Sequence, residues 1–589
     1  MAYGRRLAPC VLTLLWLAAA FTPRAQAQDH AAVVDFDVVV EAPAALRQVM
    51  ERSLDIRRWR DSGFVTSALL EELLVDALEQ AWELAATEGY FGAAVDGHID
   101  SSVQPQRVRI RVDPGQAARI ASVTLNLTGP VTSDPTAAAR LDDLRANWRL
   151  TVGAVFRQED WTRAISAAVS RLASVSYASA RVSSSLAQVD EALQNVDLQV
   201  EIDSGPPFFF GEVTALGLVR YGPSLVERLA PFDPGTPFTQ ELLRRFEQRL
   251  VLTGYFSTVQ TVIDTDPARA AAVPVSVAVI EAPRRRVDVG VGYSTDTLAR
   301  FNIAYVDNDR GDQPLRRRAE LRLESLQQDI SVAFDGPPGK SGWISTYSAT
   351  ALRTDIQDLE TEELLVGLQR RRLGERSEPA FGIEATIERQ TRLGAPSEDV
   401  HAALIGYQHT WRMVDEVLAP TDGWALRINA GFAPPAISTE SFGRLVARGS
   451  YYWPLNEQDH LYLRSDLGWV MADSRAGVPQ YFLFRTGGDS TIRGYEFQSI
   501  GVQQDGAIVG GRYLAVASVE YIRWIRSSWG VATFIDAGDA TDEPGDFRVV
   551  TGYGLGARVR SPVGAFRLDL AYGHDVSSLR LHFSFGLRF

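Results

Sequence analysis

From about residue 284 to the C-terminus, apolar and polar residues alternate one by one, segment after segment. Successive side chains of a strand point to opposite faces, so each such segment is a strand with one greasy and one wet face. In 286–294 Val287, Val289, Val291 and Tyr293 share a face. Ala319, Leu321 and Leu323 alternate with Glu320, Arg322 and Glu324. Phe381, Ile383 and Ile387 stand against Glu384 and Glu388, and Trp424, Leu426, Ile428 and Phe432 against Arg427 and Asn429. Phe566, Leu568, Leu570 and Tyr572 oppose Arg567 and Asp569. At the end, Leu579, Leu581, Phe583, Phe585, Leu587 and Phe589 oppose Arg580, His582, Ser584 and Arg588. Any half-buried antiparallel sheet alternates in this way. Full charges on the polar face suit a wet lumen, and aromatics at strand ends (Tyr293, Trp424, Tyr572, Phe589) suit interfacial girdles. The expectation is a transmembrane antiparallel β-barrel over 284–589, on the order of 16 strands of about 10 residues each.

Residues 33–283 have a different period. Segment 67–91 places Leu70, Leu74, Ala77, Leu78 and Ala81 on one helical face, with Gly89 as its stop. Segment 158–178 repeats this with Trp161, Ile165, Val169 and Leu172, and 239–256 with Leu242, Phe246 and Leu250 before Gly254. Each helix leads through an aromatic (Tyr90-Phe91, Tyr177, Tyr255-Phe256) into alternating strands. The stretches 108–129 and 196–217 each read strand, turn, strand, and 275–283 closes a third unit. One α/β unit recurring three times is the reading; three unrelated α/β domains is the alternative. The units are expected at 33–113, 117–204 and 207–282.

The N-terminus reads as a secretory signal over 1–27: Arg5 and Arg6, an apolar run 11–21, and Ala25-Gln26-Ala27 as a cleavage site. The one cysteine, Cys10, falls inside it, so the mature chain is expected to hold neither a disulfide nor a thiolate ligand. Net charge is −14 and the pI near 5.2, which excludes the basic footprint of a nucleic-acid binder.

A Gly-rich loop interrupts the strand pattern: Gly487-Gly488-Asp489, then Ile492-Arg493-Gly494-Tyr495. Further on, Phe534, Asp536 and Gly538 share parity and face the lumen together. An inward carboxylate needs a partner, and a loop arginine can bind it through two parallel hydrogen bonds. The expectation is an Arg493–Asp536 contact within about 4 Å, with Gly487 and Gly488 shaping the loop entry. Glycine at 494 and 538 would allow backbone to approach backbone.

The three-unit repeat, the barrel pattern, Ile492-Arg493-Gly494-Tyr495 and the Phe534-x-Asp536-x-Gly538 motif together resemble the BamA/TamA superfamily of outer-membrane assembly and secretion proteins. The resemblance covers essentially the whole mature chain. It implies α+β POTRA repeats in the periplasm, a sixteen-stranded barrel in the outer-membrane bilayer of a Gram-negative bacterium, and a loop folded into the lumen. Three repeats look most like TamA, which implies a TamB-like periplasm-spanning partner and unfolded outer-membrane protein substrates. A two-partner-secretion transporter exporting one adhesin is the alternative, and a passive porin a more distant one.

Barrel closure requires the first strand, near Arg286–Ser294, to pair with the last, near Leu579–Phe589. Val287, Asp288, Gly290 and Gly292 on one side, and Gly586 before Phe589 on the other, offer little packing. A seam that opens sideways and close packing at a barrel corner are both consistent with these glycines. No metal or other cofactor is expected. The chain has no H-E-x-x-H and no G-x-S-x-G, and 336–342 reads as a turn between strands rather than a phosphate loop. His574, Asp575 and His582 stand without a serine in a nucleophile context, so no enzyme activity is expected.

Overall fold

The computed structural model describes residues 33–588, apart from 136, 312, 418–419 and 562–563; the expected signal segment 1–27, Cys10 and Phe589 lie outside the described residues. Among the described residues are three three-stranded sheets and a closed sixteen-stranded barrel. The chain divides into two compact units, one built mainly from the first two sheets with their helices, the other from the third sheet and the barrel.

The three sheets share one topology. In each, the last strand in sequence takes the centre, parallel to the first and antiparallel to the second. The centres are Gln106–Asp113, Asn195–Asp203 and Val273–Glu281. A parallel pair needs a crossover, and the helices supply it. In the first sheet's crossover, Ser67–Thr87 is capped by Thr66, whose hydroxyl accepts from the Leu69 N–H. It buries Leu70, Leu73, Ala77, Ala81 and Ala85. Helix Gln158–Ala173 serves the second sheet, and Gln240–Leu252 the third, burying Phe246 and Leu250. Helices Ala44–Ser53, Ala137–Ala146 and Pro223–Glu227 complete the crossovers; the sequence reading did not find them, because they are short and flank stronger signals. The strand–turn–strand phrase at 108–129 is no hairpin. Its two strands belong to different sheets, and the turn links them.

No helix among the described residues is long and apolar enough to cross a membrane. The barrel crosses with strands. On Leu359–Arg372, Leu364, Val366 and Leu368 project outward, 43–52% exposed, while Glu363, next to Leu364 and of the opposite parity, is buried inside. The polar interior is hydrogen-bonded: Thr386 Oγ1 donates to Glu363 Oε1 at 2.7 Å. Wall height varies around the barrel. The first four strands have 9–11 residues, whereas Ser377–Arg392 has 16 and Glu398–Val414 has 17.

The chain enters the barrel from the third sheet, so alternate connections fall at opposite ends. Connections 309–315, 415–422 and 455–458 share the end where the third sheet lies. The turn 295–297 and the long connection 472–512 share the other end. Segment 336–342 is a connection with one 3₁₀ turn, Lys340–Gly342. At the first end the third sheet docks on the barrel: Tyr255 Oη donates to the Pro314 carbonyl at 2.9 Å, and Arg316 Nη1 to that of Thr253 at 3.1 Å. Arg220 is fixed by Glu281, with Nε 2.8 Å from Oε2, and its carbonyl accepts from the Gly311 N–H at 2.9 Å.

Burial works against the Glu281 charge, but the Val219, Arg220 and Tyr221 N–H groups and the Arg220 guanidinium hold its carboxyl below the usual carboxylate range. A depressed folded pKa gives stability that is complete above the unfolded value, ordinarily about 4.3, and is lost as pH falls through the folded value. Glu281→Gln is therefore expected to destabilise the second unit by about 1.5–3 kcal/mol at neutral pH. In urea unfolding followed by tryptophan fluorescence, that difference should close as the pH drops below the carboxylate range.

Candidate functional site

The connection 472–512 does not project from the barrel; it folds into the lumen. A small hairpin, Val502–Gln504 with Ala507–Val509, braces it on the wall, where the Ile508 N–H donates to the Gln357 carbonyl at 3.0 Å. Glu388 accepts from the Gln480 N–H at 2.9 Å. The two entry glycines have φ of +108° and +107° at Gly487 and Gly488, a region that L side chains rarely adopt. The tight turn is closed by the Gly488 N–H to the Ile492 carbonyl at 3.1 Å.

The tip is Arg493. Its Nε lies 2.7 Å from Asp536 Oδ2 and its Nη2 2.9 Å from Oδ1, a two-pronged contact, and its own N–H adds a third bond to Oδ2 at 3.1 Å. Nη1 reaches Glu520 at 2.7 Å and Asp569 at 3.2 Å. Arg558 lies beneath and bridges the same two carboxylates, with Nε 2.9 Å from Glu520 Oε1. The guanidinium carbon of Arg493 sits 3.4 Å above the Phe534 ring centroid, and ring quadrupoles attract cations held there. Two cations and three carboxylates thus converge from the loop and four adjacent strands. Arg493 is 5% exposed and Asp536 is fully buried.

Glycines make the space. A Cβ at Gly552 would stand 1.8 Å from the Arg493 carbonyl oxygen, and one at Gly494 2.6 Å from the Gly573 nitrogen. Gly538 lies against a neighbouring strand instead, its Cβ position 2.4 Å from the Ala515 carbonyl oxygen. Ile492 is fully buried beside Val516 and Ile500. The Tyr495 hydroxyl donates to Asp575 Oδ2 at 2.7 Å, and this bond holds the Asp575 carboxyl, in the turn 574–577, below the usual carboxylate range.

The loop also spans the closure of the barrel. On the first-strand side, the Asp489 N–H donates to Asp296 Oδ2 at 2.5 Å, and Ser294 Oγ to Asp489 at 3.3 Å. On the last-strand side, the Gly494 N–H donates to His582 Nε2 at 2.9 Å, and Arg580 pairs with Glu496 at 2.5 Å. His582 Nδ1 and Asp296 are 3.3 Å apart across the closure. Here Gly290–Ser294 pairs with Ser584–Arg588 over five positions, with Gly292 opposite Gly586. Val287 lies on the first strand beyond this paired stretch and pairs with Tyr305 on the second strand. At Gly290 a Cβ would meet Asn302 Oδ1 at 2.0 Å, so close packing on the neighbouring strand accounts for this glycine.

Glu520, Arg558 and Gly552 were not singled out from sequence; Asp569 and His582 were named there as polar-face residues, but neither was assigned to the loop anchor. Inward parity among charges flanking the two motifs was the signal available for them. No group of His, Cys, Asp and Glu able to hold a metal ion occurs among the described residues.

Arg493→Ala leaves three carboxylates facing Arg558 alone, and breaking a buried ion pair from one side costs about 3–5 kcal/mol. The expected outcome is a displaced loop, read as protease cleavage within 487–497 and faster hydrogen exchange at the Gly494 amide. Gly552→Val should displace the loop equally with every charge intact. Arg493→Lys should rescue only part, since an ammonium cannot make the two-pronged contact.

The model of the Omp85 superfamily domain matches residues 285–589. Outer membrane protein assembly factor BamA of Nitratidesulfovibrio vulgaris is 24% identical over 418 residues, covering 66% of this chain and 52% of that protein. BamA of Neisseria meningitidis serogroup B is 20% identical over 463 residues, covering 73% and 57%. The chain thus spans little more than half the length of these relatives. BamA from Haemophilus ducreyi lacking POTRA domains 1–3 shares the fold, with a TM-score of 0.59 and 16% identity over 80% of this chain and 100% of that one. The barrel places the protein in an outer membrane, and its N-terminal α/β region resembles periplasmic POTRA domains. The match takes in the whole barrel, over half of the chain, and the chain belongs to the Omp85 superfamily.

Proposed function

We propose that the protein helps insert or secrete β-barrel and autotransporter proteins, offering the free edge of its first strand to an incoming strand when the seam opens sideways. The observation that carries this is the weakness of the closure. Among the described residues the seam pairs over five positions, whereas Trp343–Ile356 and Leu359–Arg372 pair over fourteen. Glycine faces glycine within it, at Gly292 and Gly586, and each interior glycine weakens a strand by about 0.5–1 kcal/mol. The strands next to the first are also among the shortest of the barrel. An exposed strand edge recruits another strand through main-chain hydrogen bonds, so no chemistry is required of the chain.

In this reading the units at 33–113, 117–204 and 207–282 are POTRA modules that receive unfolded outer-membrane substrates. A TamB-like periplasm-spanning protein is the proposed partner. The luminal loop keeps the pore shut, and its anchor is Arg493 on Asp536.

With Cys10 in the signal segment, introduced cysteines have no competitors in the mature chain. Oxidised Gly292→Cys/Gly586→Cys is expected to abolish assembly of a test autotransporter, and reduction to restore it. A control pair away from the seam, Ala349→Cys/Val366→Cys, should leave assembly intact. Full activity with the seam locked would refute the lateral route. For the partner, pull-down on the whole protein should recover one large periplasmic chain; recovery of a single secreted adhesin instead would favour the two-partner-secretion reading.

A further inference from the structure

Below the luminal loop, at the end of the barrel where the third sheet docks, the inner wall holds a cavity of about 300 Å³. It reaches Val417 and Pro420, and its charged lining is unbalanced: Arg412, Arg427, Arg448 and Arg464 against Asp466. These residues sit on four consecutive strands, Glu398–Val414, Gly423–Ala433, Phe442–Pro454 and Asp459–Met471. Closure of the barrel therefore gathers them from more than fifty residues of sequence onto one concave surface.

Their partners are few. Arg412 Nη1 is paired with Glu378 at 3.1 Å, but Glu378 also serves Arg371 at 3.5 Å. Arg448 is 4.0 Å from Asp466, at the limit of an ion pair. Among the described residues Arg427 has only the Thr410 hydroxyl, at 3.4 Å. Arg464 donates to the Ser490 and Thr491 carbonyls of the loop, while its Nε is buried without a hydrogen-bond partner. Among the described residues neither Arg427 nor Arg464 lies within 4.0 Å of a carboxylate. A stacked pair of rings, Tyr452 and Tyr462 with centroids 4.9 Å apart, forms part of the same lining.

We propose that this cavity binds a phosphate group. Guanidinium groups present their N–H donors in a flat fork that matches phosphate oxygens in pairs, and a phosphate accepts several such forks at once. Like charges crowded on a concave wall are stabilised by a counter-anion of that geometry. The buried Arg464 Nε supplies a donor that the protein itself leaves unsatisfied. A phosphate can arrive as the headgroup of an anionic lipid or as the free ion, and the two sources share this chemistry.

The test uses the full-length protein in neutral detergent and isothermal titration calorimetry with two probes, inorganic phosphate and dihexanoyl phosphatidic acid. Saturable binding of at least one probe, weakened tenfold or more in Arg427→Ala/Arg448→Ala, is expected. Asp466→Asn, which removes the one competing carboxylate of the lining, is expected to tighten binding about threefold, and it keeps the proposal testable should the double variant fail to fold. Phosphatidic acid binding tenfold or more above inorganic phosphate assigns the site to a lipid headgroup; equal binding assigns it to the free ion. Binding of neither probe overturns the proposal, as does binding that no variant alters. A hexapeptide with a free C-terminal carboxylate that binds where both phosphates fail would also overturn it.

Discussion

A cation buried among carboxylates is the constraint on which the rest of this barrel turns. Glu520, Asp536 and Asp569 come together from neighbouring strands with low exposure, and Arg558 alone cannot neutralise them. Two unit charges 4 Å apart interact by about 4 kcal/mol at the effective dielectric near a protein surface, so the arrangement demands a second cation. The loop delivers it. Arg493 satisfies all three carboxylates at once and covers the Phe534 ring. Everything around it is subordinate to that placement: glycines at 552 and 494 let the backbones meet, and Ile492 and Tyr495 fill the flanks.

The same loop ties the plug to the closure. Asp489 is held by Ser294 and Asp296 on the first-strand side, and Gly494 and Glu496 by His582 and Arg580 on the last strand. Among the described residues the seam pairs over five positions, a short join for a barrel, and these side-chain contacts bridge it from within. Seam and plug are therefore one mechanical element. Displacing the loop removes the braces, and parting the seam pulls Asp296 away from His582.

Much of the architecture was legible because period is a local property. Alternation over 284–589 announced strands with one wet face, and the helical stripe at Leu70, Ala77 and Ala81 announced a packed helix. Arg493 and Asp536 could be named together because a lone inward carboxylate and a glycine-flanked loop cation are each incomplete. The rest of the cluster stayed hidden. Glu520 lies 16 residues before Asp536 and Asp569 33 after it, and inward parity alone does not say which of many inward charges face one point. The sheet order in the N-terminal units was hidden for a similar reason. The strand-turn-strand phrase at 108–129 carries a hairpin's signature while its two strands join different sheets.

The sequence by itself determined the elements: which segments are strands or helices, which face of each is greasy, and where glycine frees the backbone. It did so because side-chain direction repeats every two residues in a strand and every 3.6 in a helix, whatever the rest of the chain does. Only the tertiary structure decided which inward residues meet. Closing sixteen strands into a ring set Arg493 over three carboxylates, His582 beside Asp296, and four arginines around one cavity. Those encounters depend on register and on the path of a loop through the lumen, and both are fixed by long-range pairing that no local pattern encodes.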